Sequence, residues 1–265
     1  MDAVYEWVQP LFRWAHVVAG VLWIGLLYFF NWINGNFAKS LDAETKQKAL
    51  PELLPRTLYF FRWGAAFTWI TGVLLLVLVY YGHKQANMVS AENAAQGSTA
   101  MLIGIGVVLG GALIYDQLWK MMAKKEEMAV ALSFALLVGL LAFMHYSANF
   151  SSRALFIHTG ALFGTAMAYN VWFRIWPMQR KIIAAIKEGT KPEPAWGGMA
   201  GLRSKHNTYM SVPLIFMMLS NHFPKYLAFG DGNYGWAMLA GIIVVAWLFT
   251  KWVYTKGASE APTLY

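Results

Sequence analysis

Leu11-Phe12-Arg13-Trp14-Ala15-His16-Val17-Val18-Ala19-Gly20-Val21-Leu22-Trp23-Ile24-Gly25-Leu26-Leu27-Tyr28-Phe29-Phe30-Asn31-Trp32-Ile33 decides the fold. The stretch carries one charge, Arg13, and one histidine, His16. About 20 mostly apolar residues cross the hydrocarbon core of a bilayer as an α-helix, so the segment reads as a membrane span. Similar runs lie near Tyr59–Tyr81, Thr99–Trp119, Met128–Ser147, Ala154–Trp176, Tyr209–Phe223 and Tyr234–Tyr254. The expected fold class is all-α: a polytopic integral membrane helical bundle of about seven transmembrane helices, forming a single domain over residues 1–265. The Tyr209–Phe223 run is short and contains Pro213. It needs either extension back to His206 or a broken helix shielded by its neighbours.

Composition agrees with this reading. The chain is 58% hydrophobic and 13% charged, against roughly 25% charged residues in soluble domains. The formal net charge of +8 sits on segments between apolar runs, which suits a membrane surface and not nucleic acid. The absence of cysteine excludes disulfides, thiolate metal sites, iron–sulfur clusters and covalently attached haem. Met1–Pro10 lacks the basic start of a cleavable signal peptide, so the first span is expected to remain in the mature protein.

Lysine and arginine also divide by side. Segments after the first, third, fifth and seventh runs collect Lys39, Lys46, Lys48, Arg56, Arg62, Lys120, Lys124, Lys125, the basic residues from Arg174 to Lys205, Lys251 and Lys256. The opposite side keeps Arg13, Lys84, Arg153 and Lys225. The positive-inside rule makes the richer side cytoplasmic, with a periplasmic N-terminus and a cytoplasmic C-terminus in a bacterial inner membrane.

On that topology His16, His83, His145, His158 and His222 fall toward the outer face, and His206 toward the inner one. Ionisable groups within a membrane are costly and mark candidate sites. Neutral imidazoles at one depth can supply axial nitrogens to haem b, which needs no covalent attachment. The candidate haem-iron ligands are His16, His145, His158 and His222, enough for one or two haems. Arg13, one turn from His16, and Arg153 are candidates to hold the propionates, with Lys225 at the same level. His83 reads as a wet interfacial residue. A zinc or copper site is the other ligand reading, but no carboxylate lies at that depth among the histidines. Met144 is an alternative axial ligand, although packing explains it as well.

Asp116 and Lys120 read as an i,i+4 ion pair, with a proton-relay carboxylate as the functional alternative. Arg174 to Lys205 reads as a long basic loop, marked by Pro192, Pro194, Gly197 and Gly198. It ends in a donor-rich segment, with Arg203, His206, Asn207 and Tyr209, for an anionic substrate, a quinone head group or a lipid phosphate. No serine, cysteine or paired-carboxylate constellation supports hydrolysis.

Trp14-Ala15-His16-Val17-Val18-Ala19-Gly20-Val21-Leu22-Trp23-Ile24-Gly25, Asn31-Trp32-Ile33-Asn34-Gly35 and Leu54-Pro55-Arg56 resemble the N-terminal domain of the bacterial membrane-bound urate oxidase (urate hydroxylase) family. So does Arg203-Ser204-Lys205-His206-Asn207-Thr208-Tyr209, continuing through Val212-Pro213 to Ser220-Asn221-His222-Phe223-Pro224. The resemblance covers essentially the whole chain. It implies a membrane domain linked to urate oxidation that passes electrons to a cytochrome c. Urate-oxidising members carry a C-terminal cytochrome c domain with a Cys-x-x-Cys-His site, and this sequence has no cysteine. The resemblance therefore implies either a separate cytochrome c or a relative that keeps the membrane fold without urate activity.

The leading expectation is a haem-b membrane electron-transfer protein delivering electrons at the outer face. Expected partners are membrane lipid and a separate cytochrome c or respiratory complex subunits, with no nucleic acid. The rivals are a non-enzymatic subunit of a respiratory or other membrane complex, and a transporter using Asp116 and a broken sixth helix.

Overall fold

Inside a bilayer every backbone N–H and C=O must be paired within the protein, and a helix does this within one segment. The computed structural model describes residues 2–82, 87–123, 125–223, 225 and 234–259. His83, Lys84, Lys124 and Pro224 lie outside the described residues. In chain order the helices are α1 (Asp2–Tyr28), α2 (Gly35–Ser40), α3 (Ala43–Leu76), α4 (Gly97–Met121), α5 (Glu126–Tyr146), α6 (Ser152–Asn170), α7 (Trp176–Lys187), α8 (Pro194–Leu219) and α9 (Gly235–Ser259). Wide π-helical turns extend α1 through Phe29–Asn34, α3 through Val77–Tyr81 and α6 through Val171–Ile175. Among the described residues there is no strand, and one isolated bridge joins Val89 to Phe150.

Five helical stretches are long and apolar enough to cross a membrane: Glu6–Ser40, Ala43–Tyr81, Glu92–Met121, Glu126–Tyr146 and Gly235–Gly257. The chain is an all-α membrane protein. The runs Ala154–Trp176 and Tyr209–Phe223 fall on α6 and α8, outside those five. The difference lies in what surrounds them. The most apolar windows of the five are only 11–33% buried, so they present hydrocarbon outward. On α6, by contrast, Leu155, Phe156, His158, Thr159, Met167 and Asn170 are all buried, as are Arg203, Asn207, Thr208, Ser211 and Met217 on α8. Helices faced by protein can carry polar side chains that a lipid-facing helix cannot.

The basic loop expected from Arg174 to Lys205 is largely helical. Trp176–Lys187 forms α7, and α8 starts at Pro194 with Gly197 and Gly198 inside it. Proline is well placed at the first position of a helix, where its missing N–H has no intrahelical partner to lose. Pro194 therefore starts the helix that it was expected to exclude. The same helix runs on through Pro213 to Leu219, which is the extended and not the broken form of the sixth span.

Cα packing divides the chain into two compact units. The first comprises Met1–Gln9, Gly72–Ala166 and Val212–Ala246, and the second Pro10–Thr71, Met167–Ser211 and Trp247–Tyr265. Within the first, Leu162 and Met217 pack where Gly111 and Gly160 carry no side chain. Within the second, Asp42 starts α3, its carboxylate accepting the Thr45 backbone N–H at 2.9 Å and the Thr45 hydroxyl at 2.6 Å. These bonds hold the Asp42 carboxyl below its ordinary value. Gly64 of α3 lets the Trp23 backbone of α1 approach closely, because a Cβ there would lie 3.3 Å from the Trp23 nitrogen. Trp23 itself is 1% exposed, so the contact has little room to relax. Gly64→Val should cost about 1–3 kcal/mol by overpacking, read as a lower unfolding temperature in detergent. An unchanged temperature would show that α1 and α3 can part without loss.

Candidate functional site

His158, on α6 in the first unit, is 0% exposed. Its Nδ1 lies 2.8 Å from the Ala154 carbonyl oxygen, and its Nε2 lies 2.8 Å from the Tyr81 hydroxyl. A carbonyl only accepts, so the neutral ring carries its proton on Nδ1, and Tyr81 donates to the Nε2 lone pair. Tyr80 and Phe150 meet the ring edge-on with centroids at 5.6 and 5.3 Å. From α4, Gly104 closes the remaining side. A Cβ at Gly104 would stand 2.8 Å from both Cδ2 and Nε2 of His158.

Short polar contacts tie the neighbouring segments of this unit together. Ser151 N–H donates to the Met88 carbonyl at 2.8 Å, and the Ser151 hydroxyl to the Asn87 carbonyl at 2.7 Å. Arg153 is exposed and donates from Nε to Asn221 Oδ1 at 3.2 Å. His145 is half-buried and meets Tyr146 edge-on at 4.7 Å. His222 is exposed in the turn after α8. Met144 is fully buried, as packing requires. Asp116 is also buried and pairs with Lys120 at 3.1 Å, the ion pair that the i,i+4 spacing suggested.

His16 belongs to the second unit, half-buried on α1. Its Nδ1 lies 3.1 Å from the Thr71 hydroxyl oxygen. That hydroxyl spends its one hydrogen on a backbone carbonyl, with Phe67 O at 2.6 Å and Thr68 O at 3.1 Å. Toward His16 it can therefore only accept. The imidazole must donate from Nδ1, which leaves Nε2 as the basic nitrogen. This is the tautomer of a ring that binds a metal through Nε2, its other nitrogen held by a hydrogen bond. Arg13 precedes His16 on the same helix and is exposed.

A second polar centre in this unit runs along α8. Asn207, 0% exposed, accepts at Oδ1 from Asn170 at 2.8 Å and donates to the Met167 carbonyl at 3.0 Å. Ser204 accepts from Asn31 at 2.8 Å, and Ser211 donates to the Tyr28 hydroxyl at 3.0 Å. Arg203 is buried on the same helix and His206 half-buried. Tyr209 stacks on Tyr254 with centroids 5.9 Å apart, and Tyr28 stacks on Trp32 at 4.0 Å. The result is a seam of amides, hydroxyls and a guanidinium flanked by aromatic rings. Among the described residues, no group of three histidine or acidic side chains is arranged to hold a metal ion.

Residues 2–49 and 41–264 match the family described as urate oxidase N-terminal. The chain belongs to the urate oxidase N-terminal family. Among curated proteins and among solved structures, none matches it.

In this member of the urate oxidase N-terminal family, Tyr81, Gly104, Thr71 and Asn170 shape the candidate centres without having stood out in the sequence. A buried histidine needs two partners, but nothing in the spacing of Tyr81 and His158 says that they meet. Tyr81→Phe leaves the Nε2 acceptor of His158 buried and unsatisfied, which should cost about 1–3 kcal/mol. Gly104→Ala should cost a similar amount by forcing the ring away from the same bond. Because both act on one contact, the double variant should lose less than the sum of the two. Denaturant unfolding in detergent measures this, and additive losses would show that Gly104 does not act through the Tyr81–His158 bond.

Proposed function

We propose that the chain is a haem-b membrane oxidoreductase of the urate oxidase type, in which His16 would hold the haem iron and electrons would leave to a separate cytochrome c. The single observation that carries this reading is the hydrogen bond from His16 Nδ1 to Thr71. It presents Nε2 as the basic nitrogen from within an apolar helix. The donor chemistry at His16 therefore fits a haem iron, and Arg13 on the same helix supplies a cation for a propionate. His158 has the same tautomer, but its Nε2 already accepts from Tyr81 and Gly104 packs against its ring. It could serve as a ligand only after Tyr81 moved away. His145 and His222 stand as separate ligand candidates within the first unit, where Arg153 lies near His158 in sequence.

When bound, the haem would supply a one-electron carrier between a two-electron reductant and a cytochrome c. The protein's own part is to bind and orient the reductant. The α8 seam suits an anionic, planar, hydrogen-bonding reductant such as urate. In this proposal Arg203 offers the countercharge and His206 an in-plane hydrogen bond, with Tyr209 a flat apolar wall and Asn207, committed to Asn170 and Met167, fixing the helix that carries them. The positive-inside count supports a bacterial inner membrane location, with the N-terminus periplasmic and the C-terminus cytoplasmic.

Purified in mild detergent, the chain should show a Soret band and, after dithionite, a sharp α band of the b type. His16→Ala should abolish both bands, Thr71→Val should weaken haem retention roughly tenfold or more, and His158→Ala should leave the haem in place. Full haem content in His16→Ala would sink the assignment. A colourless wild-type protein would sink the haem reading altogether.

A further inference from the structure

Arg62 and Arg180 hold the clearest unassigned chemistry in the second unit. The Arg62 guanidinium lies 4.1 Å from the centre of the Trp176 ring, with the rings of Tyr59 at 5.6 Å and Trp172 at 5.9 Å. Arg180 approaches the same Trp176 ring at 5.9 Å. Two cations thus share one indole and stand within about 10 Å of each other, the Debye length at 0.1 M salt. Among the described residues neither makes an ion pair. The Arg62 Nε is buried without a hydrogen-bond partner. Cation–π contact offsets part of the cost of desolvating a guanidinium, but it leaves the positive charge uncompensated.

Their position narrows what could compensate it. Arg62 stands just inside the apolar run that begins at Tyr59, and Trp172 and Trp176 close the run that begins at Ala154. Tryptophan and tyrosine at the ends of such runs lie at the level of lipid head groups. From Trp176 the chain continues as α7, where Arg180, Lys181 and Lys187 alternate with Ile182, Ile183 and Ile186. Lys181 lies over the Trp196 ring at 5.4 Å. A basic, amphipathic helix of this kind lies along a membrane surface with its cations toward anionic head groups.

We infer that Arg62, Trp176 and Arg180 form a binding site for the phosphate of an anionic phospholipid. The two guanidinium groups take the phosphate oxygens, a geometry that arginine suits better than lysine because of its planar fork. The indole holds both cations in place at the interface and packs against the lipid's glycerol and upper acyl segments.

The full-length protein would be titrated in neutral detergent micelles with dioleoylphosphatidylglycerol, with dioleoylphosphatidylcholine and, separately, with inorganic phosphate. Thermal unfolding and native mass spectrometry would report protection and retained lipid. Phosphatidylglycerol should protect the protein and be retained, and the zwitterionic lipid and millimolar phosphate should do neither. The Arg62→Gln/Arg180→Gln variant should lose phosphatidylglycerol affinity by roughly thirtyfold, and Arg180→Gln alone by roughly fivefold. Arg180 lies on an exposed helical face, so its single variant keeps the test open if the double variant fails to fold. Arg56→Gln, which removes an exposed ion pair with Glu52, should change nothing. Undiminished lipid retention in Arg180→Gln and in the double variant would overturn the site. Equal protection by inorganic phosphate would overturn the lipid assignment. Neither result bears on haem content, so this inference and the redox proposal fail independently.

Discussion

A bilayer core offers no water to a buried polar group, so each one on α6 and α8 must find its partner within the protein. His158 shows how much follows from that constraint. Its Nδ1–H is absorbed by the carbonyl of Ala154, one turn back on its own helix, and this fixes the tautomer. Nε2 must then meet a donor, and Tyr81 is the donor it meets. With the ring held at both nitrogens, the α4 backbone packs against its edge, and no side chain larger than glycine fits at position 104 without movement. Asn207 obeys the same logic in the other unit, spending its carbonyl oxygen on Asn170 and its amide on Met167. Polar satisfaction therefore constrains neighbouring backbones as well as the polar side chains themselves.

The π-helical turns are where those constraints are met. A π turn adds one residue to a helical turn, which rotates the following side chains by about 100° relative to an uninterrupted helix. Each of the three holds a residue that reaches another element. Asn31 in the first donates both to Leu27 and to Ser204, Tyr81 in the second to His158, and Trp172 in the third packs beside Arg62. Such bulges are frequent at functional positions because they aim a side chain where the regular period would not. Here they serve both candidate centres and the aromatic cage of Arg62.

The apolar runs were legible because lipid-facing helices must be apolar over their whole length, and five of them show it plainly. The histidines were legible as polar groups within or beside apolar runs. Their partners were not, because pairing depends on contacts between helices far apart in sequence. Tyr81 closes an apolar run and reads as one more belt aromatic. The start of α8 is hidden in the sequence for a different reason. Pro194, Gly197 and Gly198 are breakers within a helix, yet proline is favourable in a first turn and glycine tolerable there. The i,i+4 pair of Asp116 and Lys120 was recovered because both residues lie on one helix.

One tautomer does not mean one role. His16 and His158 share a tautomer, and both are oriented by a hydrogen bond from Nδ1. They differ in what holds that bond and in what meets the other nitrogen. His158 bonds to its own helix and has Nε2 capped by a phenol, so its ring is committed to the packing of its unit. His16 is held from another helix by a threonine hydroxyl that has already given its hydrogen to the backbone. That arrangement orients the ring through Nδ1 and forces the lone pair onto Nε2. The partner of Nδ1, Thr71 in one case and Ala154 in the other, makes both rings basic at Nε2, and what meets that nitrogen is where the two histidines differ.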